Sequence, residues 1–170
     1  MAEENTNQET QSLLDFFMLS EGVQFASMAE KLINVFRKSR TENNDKIYKS
    51  ILDMRTLNKL VNVQVDMLSI RQRMLEDSHI LLDKLVNLRK QYRVAKGGAY
   101  DNIANNIQMR LKTSGEKEAI VEGAYEISEL RNKIEILESQ TNYYNESIRT
   151  VDDILYGIKT RLDIEKLLGA

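Results

Sequence analysis

The chain has no proline, no cysteine, no tryptophan, one histidine and only seven glycines in 170 residues. Average usage would place about eight prolines in such a chain, so their absence points to long uninterrupted helices. Without cysteine there are no disulfides, thiol nucleophiles or Cys-based zinc and iron–sulfur sites. The lone His79 excludes an HExxH motif and leaves little for a transition-metal cage, so no metal or cofactor is expected. Neither GxxxxGK(S/T) nor GxGxxG occurs, which removes the familiar phosphate cradles. No stretch approaches the roughly 18 apolar residues of a membrane span. Met1 to Gln11 is acidic and polar, the reverse of a secretion signal, so a cytoplasmic protein without a membrane partner is expected.

Catalytic parts are equally scarce. Glu76-Asp77 and Asp152-Asp153 are adjacent carboxylates, but neighbouring helical residues diverge by about 100° and do not converge on one substrate atom. They read as solvated helix faces, and His79 reads as a buried or capped structural imidazole. No enzyme is expected.

What the chain does have is uneven charge. The net charge is only −2, yet residues 1–30 carry six acids and no base, and residues 84–117 carry eight bases against two acids. A basic centre between acidic ends is a statement about partners rather than about fold.

Apolar periodicity predicts an all-α protein of elongated helices. Residues 1–11 lack periodicity and are expected to be a disordered acidic arm. Residues 12–45 read as an amphipathic helix over 13–38, which holds all four phenylalanines, followed by a polar linker at 39–45. Gly22 is a possible interruption of that helix. Phe-rich helices of this kind are more often core than partner-docking elements.

Residues 46–98 read as a central helix over 46–95 ended by Gly97-Gly98. Its heptads place Val61, Leu68, Leu75 and Leu82 at d, with Val65, Gln72, His79 and Val86 at a. A second stripe, Leu60, Val63, Met67, Ile70, Met74, Leu81, Leu85 and Leu88, lies on another face. Two stripes imply a helix wedged between neighbours, as in a bundle or a ring. Residues 99–113 form a short basic connection, and Thr113 with Glu116 has capping-box spacing for a last helix over 114–168.

Residues 114–170 carry the clearest seam. Ile127, Ile134, Ile148, Leu155 and Leu162 occupy a, and Leu130, Leu137, Tyr144, Val151 and Ile158 occupy d, with Thr141 the remaining a residue. Such a run needs a partner helix, and these ten residues are the expected oligomerisation contacts. Ile at a with Leu at d leans toward a parallel dimer, whereas Ile136, Tyr143 and Ile154 widen the face and favour a higher order. An oligomeric helical bundle or ring covers both.

The basic centre is the one feature that suggests chemistry with a partner. Arg89 and Arg93 sit at seam positions one turn apart, so the seam opens there toward solvent or an anion. Tyr92 lies between them, and Lys96, the glycine pair and Tyr100 follow. Cations interleaved with aromatics beside flexible backbone suit single-stranded nucleic acid, whose phosphates meet Lys and Arg while its bases stack on Tyr. The alternative is a set of solvated cations favoured by a helix C-terminus. The candidate contacts are Lys84, Arg89, Lys90, Tyr92, Arg93, Lys96, Arg110 and Lys112.

The segments LDKLVNLRKQYRVAKGG (82–98), RLKTSGEKEAIVEG (110–123) and LRNKIEILESQTNYYNESIRTVDDILYGIKTRLDIEKLL (130–168) together resemble the UvsY-type recombination mediators of tailed phages. The resemblance covers about residues 47–168 and leaves Met1 to Asn44 outside it. It implies a homo-oligomeric ring assembled through C-terminal helices, acting in a host cell's cytoplasm. Such a ring binds single-stranded DNA, weakens the grip of the single-strand-binding protein and loads a RecA-like phage recombinase. Arg89, Lys90, Arg93 and Lys96 resemble the family's DNA-contacting stretch, and Lys112 its Lys-Thr pair. The other expectations are a scaffolding coiled-coil phage protein without DNA binding, and an adaptor that docks through helix 13–38.

Overall fold

The computed structural model describes residues 2–54, 59–106 and 112–169, with side chains from Thr10 onward. The described residues form five helices and no strand: α1 (Ala2–Leu19), α2 (Gly22–Asp53), α3 (Leu60–Asn105), α4 (Ser114–Gly123) and α5 (Tyr125–Leu168). The all-α expectation is met. The chain divides into two compact units, residues 1–32 with 81–139 and residues 33–80 with 140–170.

Several boundaries differ from those read in the sequence, each for a physical reason. The arm expected to be disordered is helical from Ala2. It contains no Gly or Pro, and Leu14 and Phe17 further along the same helix anchor it in the first unit's core. The polar run 39–45, expected as a linker, lies inside α2. Its side chains find partners in the second unit. Arg40 Nε donates to Gln140 Oε1 at 2.7 Å, and Tyr143 Oη donates to the Arg40 carbonyl at 3.1 Å. Asn43 is buried and accepts from Arg73.

The stretch expected to be one helix over 46–95 carries α2 as far as Asp53 and α3 from Leu60, and residues 55–58 lie outside the described residues. Gly97 and Gly98 do not end α3. Both face open space, while Tyr92, Ala95, Ala99 and Ile103 on the opposite side pack with Ile120, Val121, Ala124 and Ile127. That packing offsets the glycines' entropic cost of about 1 kcal/mol each.

The capping box at Thr113 forms as expected, with Glu116 N–H donating to Thr113 Oγ1 and Thr113 N–H to the Glu116 carboxylate. The last helix is nevertheless two. Ala124 is extended (φ −61°, ψ 132°) and separates α4 from α5, so the regular seam begins at Ile127.

In α3 the buried stripe is Leu60, Val63, Met67, Ile70, Met74, Leu81, Leu85 and Leu88. The heptad row Val61, Val65, Leu68, Leu82 and Val86 points outward and is exposed. His79, expected to be buried or capped, lies on that exposed row. In α5 the seam is covered within the chain. Ile127, Leu137, Tyr144, Ile148, Val151 and Ile158 are buried, and Leu130, Ile134, Leu155 and Leu162 half-buried. The partner helix this row requires is therefore the chain's own, and the seam no longer argues for self-association.

The α1–α2 corner, which the sequence marked only by Gly22, is held by a buried ion pair. Gly22 adopts φ +60°, a conformation natural to glycine. Its N–H donates to Glu129 Oε2 at 3.0 Å. Lys133 Nζ, one helical turn beyond Glu129, donates to the carbonyls of Ser20 at 2.6 Å and Met18 at 3.3 Å. The same ammonium pairs with Glu129 at 3.3 Å, and both side chains are buried (4% and 8% exposed). One Glu–Lys pair thus satisfies the end of α1 and the start of α2 together.

Candidate nucleic-acid interface

The expected DNA contacts that the structure describes all belong to the first unit, and seven of the eight are described; Arg110 lies outside the described residues. They do not share one environment.

Three of the cations are already paired. Lys84 bonds to Asp15 of α1, and Arg89 Nη2 bonds to Glu138 Oε1 of α5 at 2.6 Å. Lys96 bonds to Glu122 of α4, with Glu118 4.0 Å away. These carboxylates arrive from segments remote in sequence, so the excess positive charge read along residues 84–117 is partly neutralised in space. The Arg89 pair is largely exposed and worth at most about 1 kcal/mol, so an incoming phosphate can displace it.

Tyr92 is not a free stacking platform. Its ring packs on the Ile103–Val121–Ile127 cluster, and its hydroxyl donates to Glu122 at 3.0 Å. Burial, reinforced by that carboxylate, pushes its hydroxyl above the ordinary tyrosine range. Glu122 also pairs with Arg131 at 3.2 Å. The Lys96 and Tyr92 hydrogen bonds hold Glu122 below the usual carboxylate range, and the Glu122 bond in turn raises Lys96. Tyr92, Lys96, Glu122 and Arg131 therefore form a latch that fixes α4 against α3, a role that spacing along one helix could not disclose.

Lys90 and Arg93 are exposed and have no carboxylate partner among the described residues, whereas the exposed Lys112 lies near enough to Glu116 to help the Thr113 hydrogen bonds hold its carboxyl below the usual range. Arg93 Nε is directed onto the Arg89 carbonyl at 3.3 Å, which keeps its guanidinium beside Arg89. Val86, Arg89, Lys90, Arg93, Gly97 and Tyr100 recur at helical spacing on the outward side of α3, all of them exposed. The aromatic on this face is Tyr100. The usable interface is thus narrower than the sequence suggested: two free cations, one displaceable arginine, open glycine backbone and one exposed ring.

Among the described residues no helix is long and apolar enough to cross a membrane, and no group of three or more ligating side chains could hold a metal ion. No protein-family model, curated protein or solved structure matches the chain.

Proposed function

We propose that this chain is a non-enzymatic, homo-oligomeric recombination mediator of a phage, working in the host cytoplasm. It binds single-stranded DNA, loosens the single-strand-binding protein and helps load a RecA-like recombinase. The observation that carries this reading is the exposed row Arg89, Lys90, Arg93, Gly97 and Tyr100 on α3, where Lys90 and Arg93 have no carboxylate partner among the described residues. Phosphates meet such a row electrostatically, a base stacks on Tyr100, and the paired glycines let the strand approach the backbone. The resemblance of residues 82–98 and 130–168 to UvsY-type mediators supports the same reading.

Fluorescence anisotropy of a labelled oligo-dT across a salt titration tests it. Lys90→Ala with Arg93→Ala should weaken binding about tenfold or more and flatten the log–log salt slope by about two, since each cation contributes roughly one. Unchanged affinity in a folded double variant overturns the assignment. The second reading is a scaffolding coiled-coil phage protein without DNA binding. It is favoured by the pairing of Lys84, Arg89 and Lys96 with the chain's own carboxylates. No binding by the wild type even at low salt would decide for it.

A further inference from the structure

The first unit leaves bare a surface that the DNA-binding reading does not use. On α1, Leu14 and Phe17 face the core, whereas Phe16 is 64% exposed and Leu19 82% exposed; just past the corner, Val23 is 91% exposed. Phe16 and Leu19 are spaced i, i+3 on one face of α1, and Val23 adds a third bare apolar side chain at the start of α2. Gln11, Ser12 and Asp15 complete a shallow groove of about 460 Å³ with Phe16 and Leu19. The row lies in the segment of residues 1–30, which carries six acids and no base.

The same unit offers the chemical complement. The outward side of α3 carries Val86 and Val94, 62% and 69% exposed, with Lys90 and Arg93 between them. An acidic apolar row and a basic apolar row on one chain are complementary to each other and not to themselves. They cannot meet inside the chain, because α1 is already fixed by Leu14, Phe17 and the Asp15–Lys84 bond with Phe16, Leu19 and Val23 turned to solvent.

We infer that the Phe16–Leu19–Val23 row of one copy docks on the Val86–Lys90–Arg93–Val94 face of α3 in a second copy. Two different patches make this contact heterologous, so it propagates head to tail into a ring or a filament. It places self-association on α1 and α3 rather than on the α5 seam. Where it bears on the proposed function it rests on that reading: the second copy and the DNA strand would compete for Lys90 and Arg93.

Two variants of the full chain test the contact by sedimentation velocity, with circular dichroism confirming their helicity. One carries Phe16→Ser, Leu19→Ser and Val23→Ser; the other carries Lys90→Glu and Arg93→Glu. The wild type should self-associate with concentration, and each variant alone should remain monomeric. An equimolar mixture should form a dimer and stop, because each variant keeps one intact half of the contact. A monomeric wild type at about 200 μM, self-association by either variant alone, or a mixture that stays monomeric would each overturn the proposal. Oligo-dT binding of the Phe16/Leu19/Val23 variant is read separately. It keeps every cation, so failure of the contact and failure of DNA binding are told apart.

Discussion

The long helices α3 and α5 each carry an apolar row in heptad register, and the two rows end up in opposite surroundings. Along α5, Leu137, Val151 and Ile158 are completely buried. Along α3, Val61, Val65, Leu68, Leu82 and Val86 face outward while a second stripe on the far side serves the core. The polar interruptions follow suit. Tyr144 in the covered row donates to Asp77 at 3.3 Å, and Thr141 is buried beside it. Gln72 in the bare row turns to Glu76 on its own helix at 2.8 Å, and His79 is exposed. A heptad row shows that a helix wants a neighbour; only the other elements of the chain decide whether the neighbour is already present.

The sharpest way to break the comparison is at the buried pair beside the covered row. Lys133→Ala leaves the Glu129 carboxylate buried without its cation and frees the carbonyls of Met18 and Ser20. Losing one partner of a buried ion pair should cost about 3–5 kcal/mol, read as a lower midpoint in urea denaturation. Full recovery of stability in Lys133→Ala/Glu129→Ala would show that the stranded charge, not the corner's hydrogen bonds, accounts for the loss. Next in size is the contrast between the rows. Leu137→Ala, in the covered row, should cost about 3 kcal/mol, and Val65→Ala, in the bare one, less than about 0.5 kcal/mol in dilute protein. Equal costs would mean that the α3 row is covered after all.

Much of this architecture is legible in the sequence. The absence of proline and the heptads dictate helices, the Thr113–Glu116 spacing dictates the cap, and the two stripes of α3 are readable as two faces. Which stripe takes the core is not, because both are apolar and of similar period; the choice rests on the helices that meet it. The 39–45 run is hidden for a related reason: RTENN becomes helical only when Gln140, Tyr143 and Arg73 arrive from elsewhere. At the candidate interface Lys90 and Arg93 were identifiable as cations on one face. That Lys84, Arg89 and Lys96 are paired, and that Tyr92 is held by Glu122, depends on α1, α4 and α5. A cation's partner within three or four residues can be read from helical spacing; a partner 26 to 69 residues away cannot.

The smallest expected effect probes the polar step in the covered row. Asp77 is half-buried on α3, and burial pushes its carboxyl above the ordinary range. The Tyr144 hydrogen bond and the nearby Arg73 work against that rise, and Glu76 adds to it. A carboxyl raised in the folded state contributes fully below its unfolded value near 3.8 and loses that contribution as pH climbs through the folded value. At neutral pH the charged Asp77 is therefore a net cost. Asp77→Asn keeps an acceptor for Tyr144 and cannot ionise, so it should melt about 1–3 °C higher than the wild type at pH 7. The difference should vanish near pH 3.5. Tyr144 supplies the control at the other end of the scale. Burial, reinforced by Asp77, pushes its hydroxyl up to about 12. Its contribution is whole below pH 10 and fades between pH 10 and 12, so Tyr144→Phe should flatten that limb of the stability curve. Should Asp77→Asn lose more stability at pH 7 than at pH 3.5, the ionised carboxylate would be supporting the Tyr144 contact. The covered row would then hold a charge-assisted hydrogen bond rather than a desolvated acid.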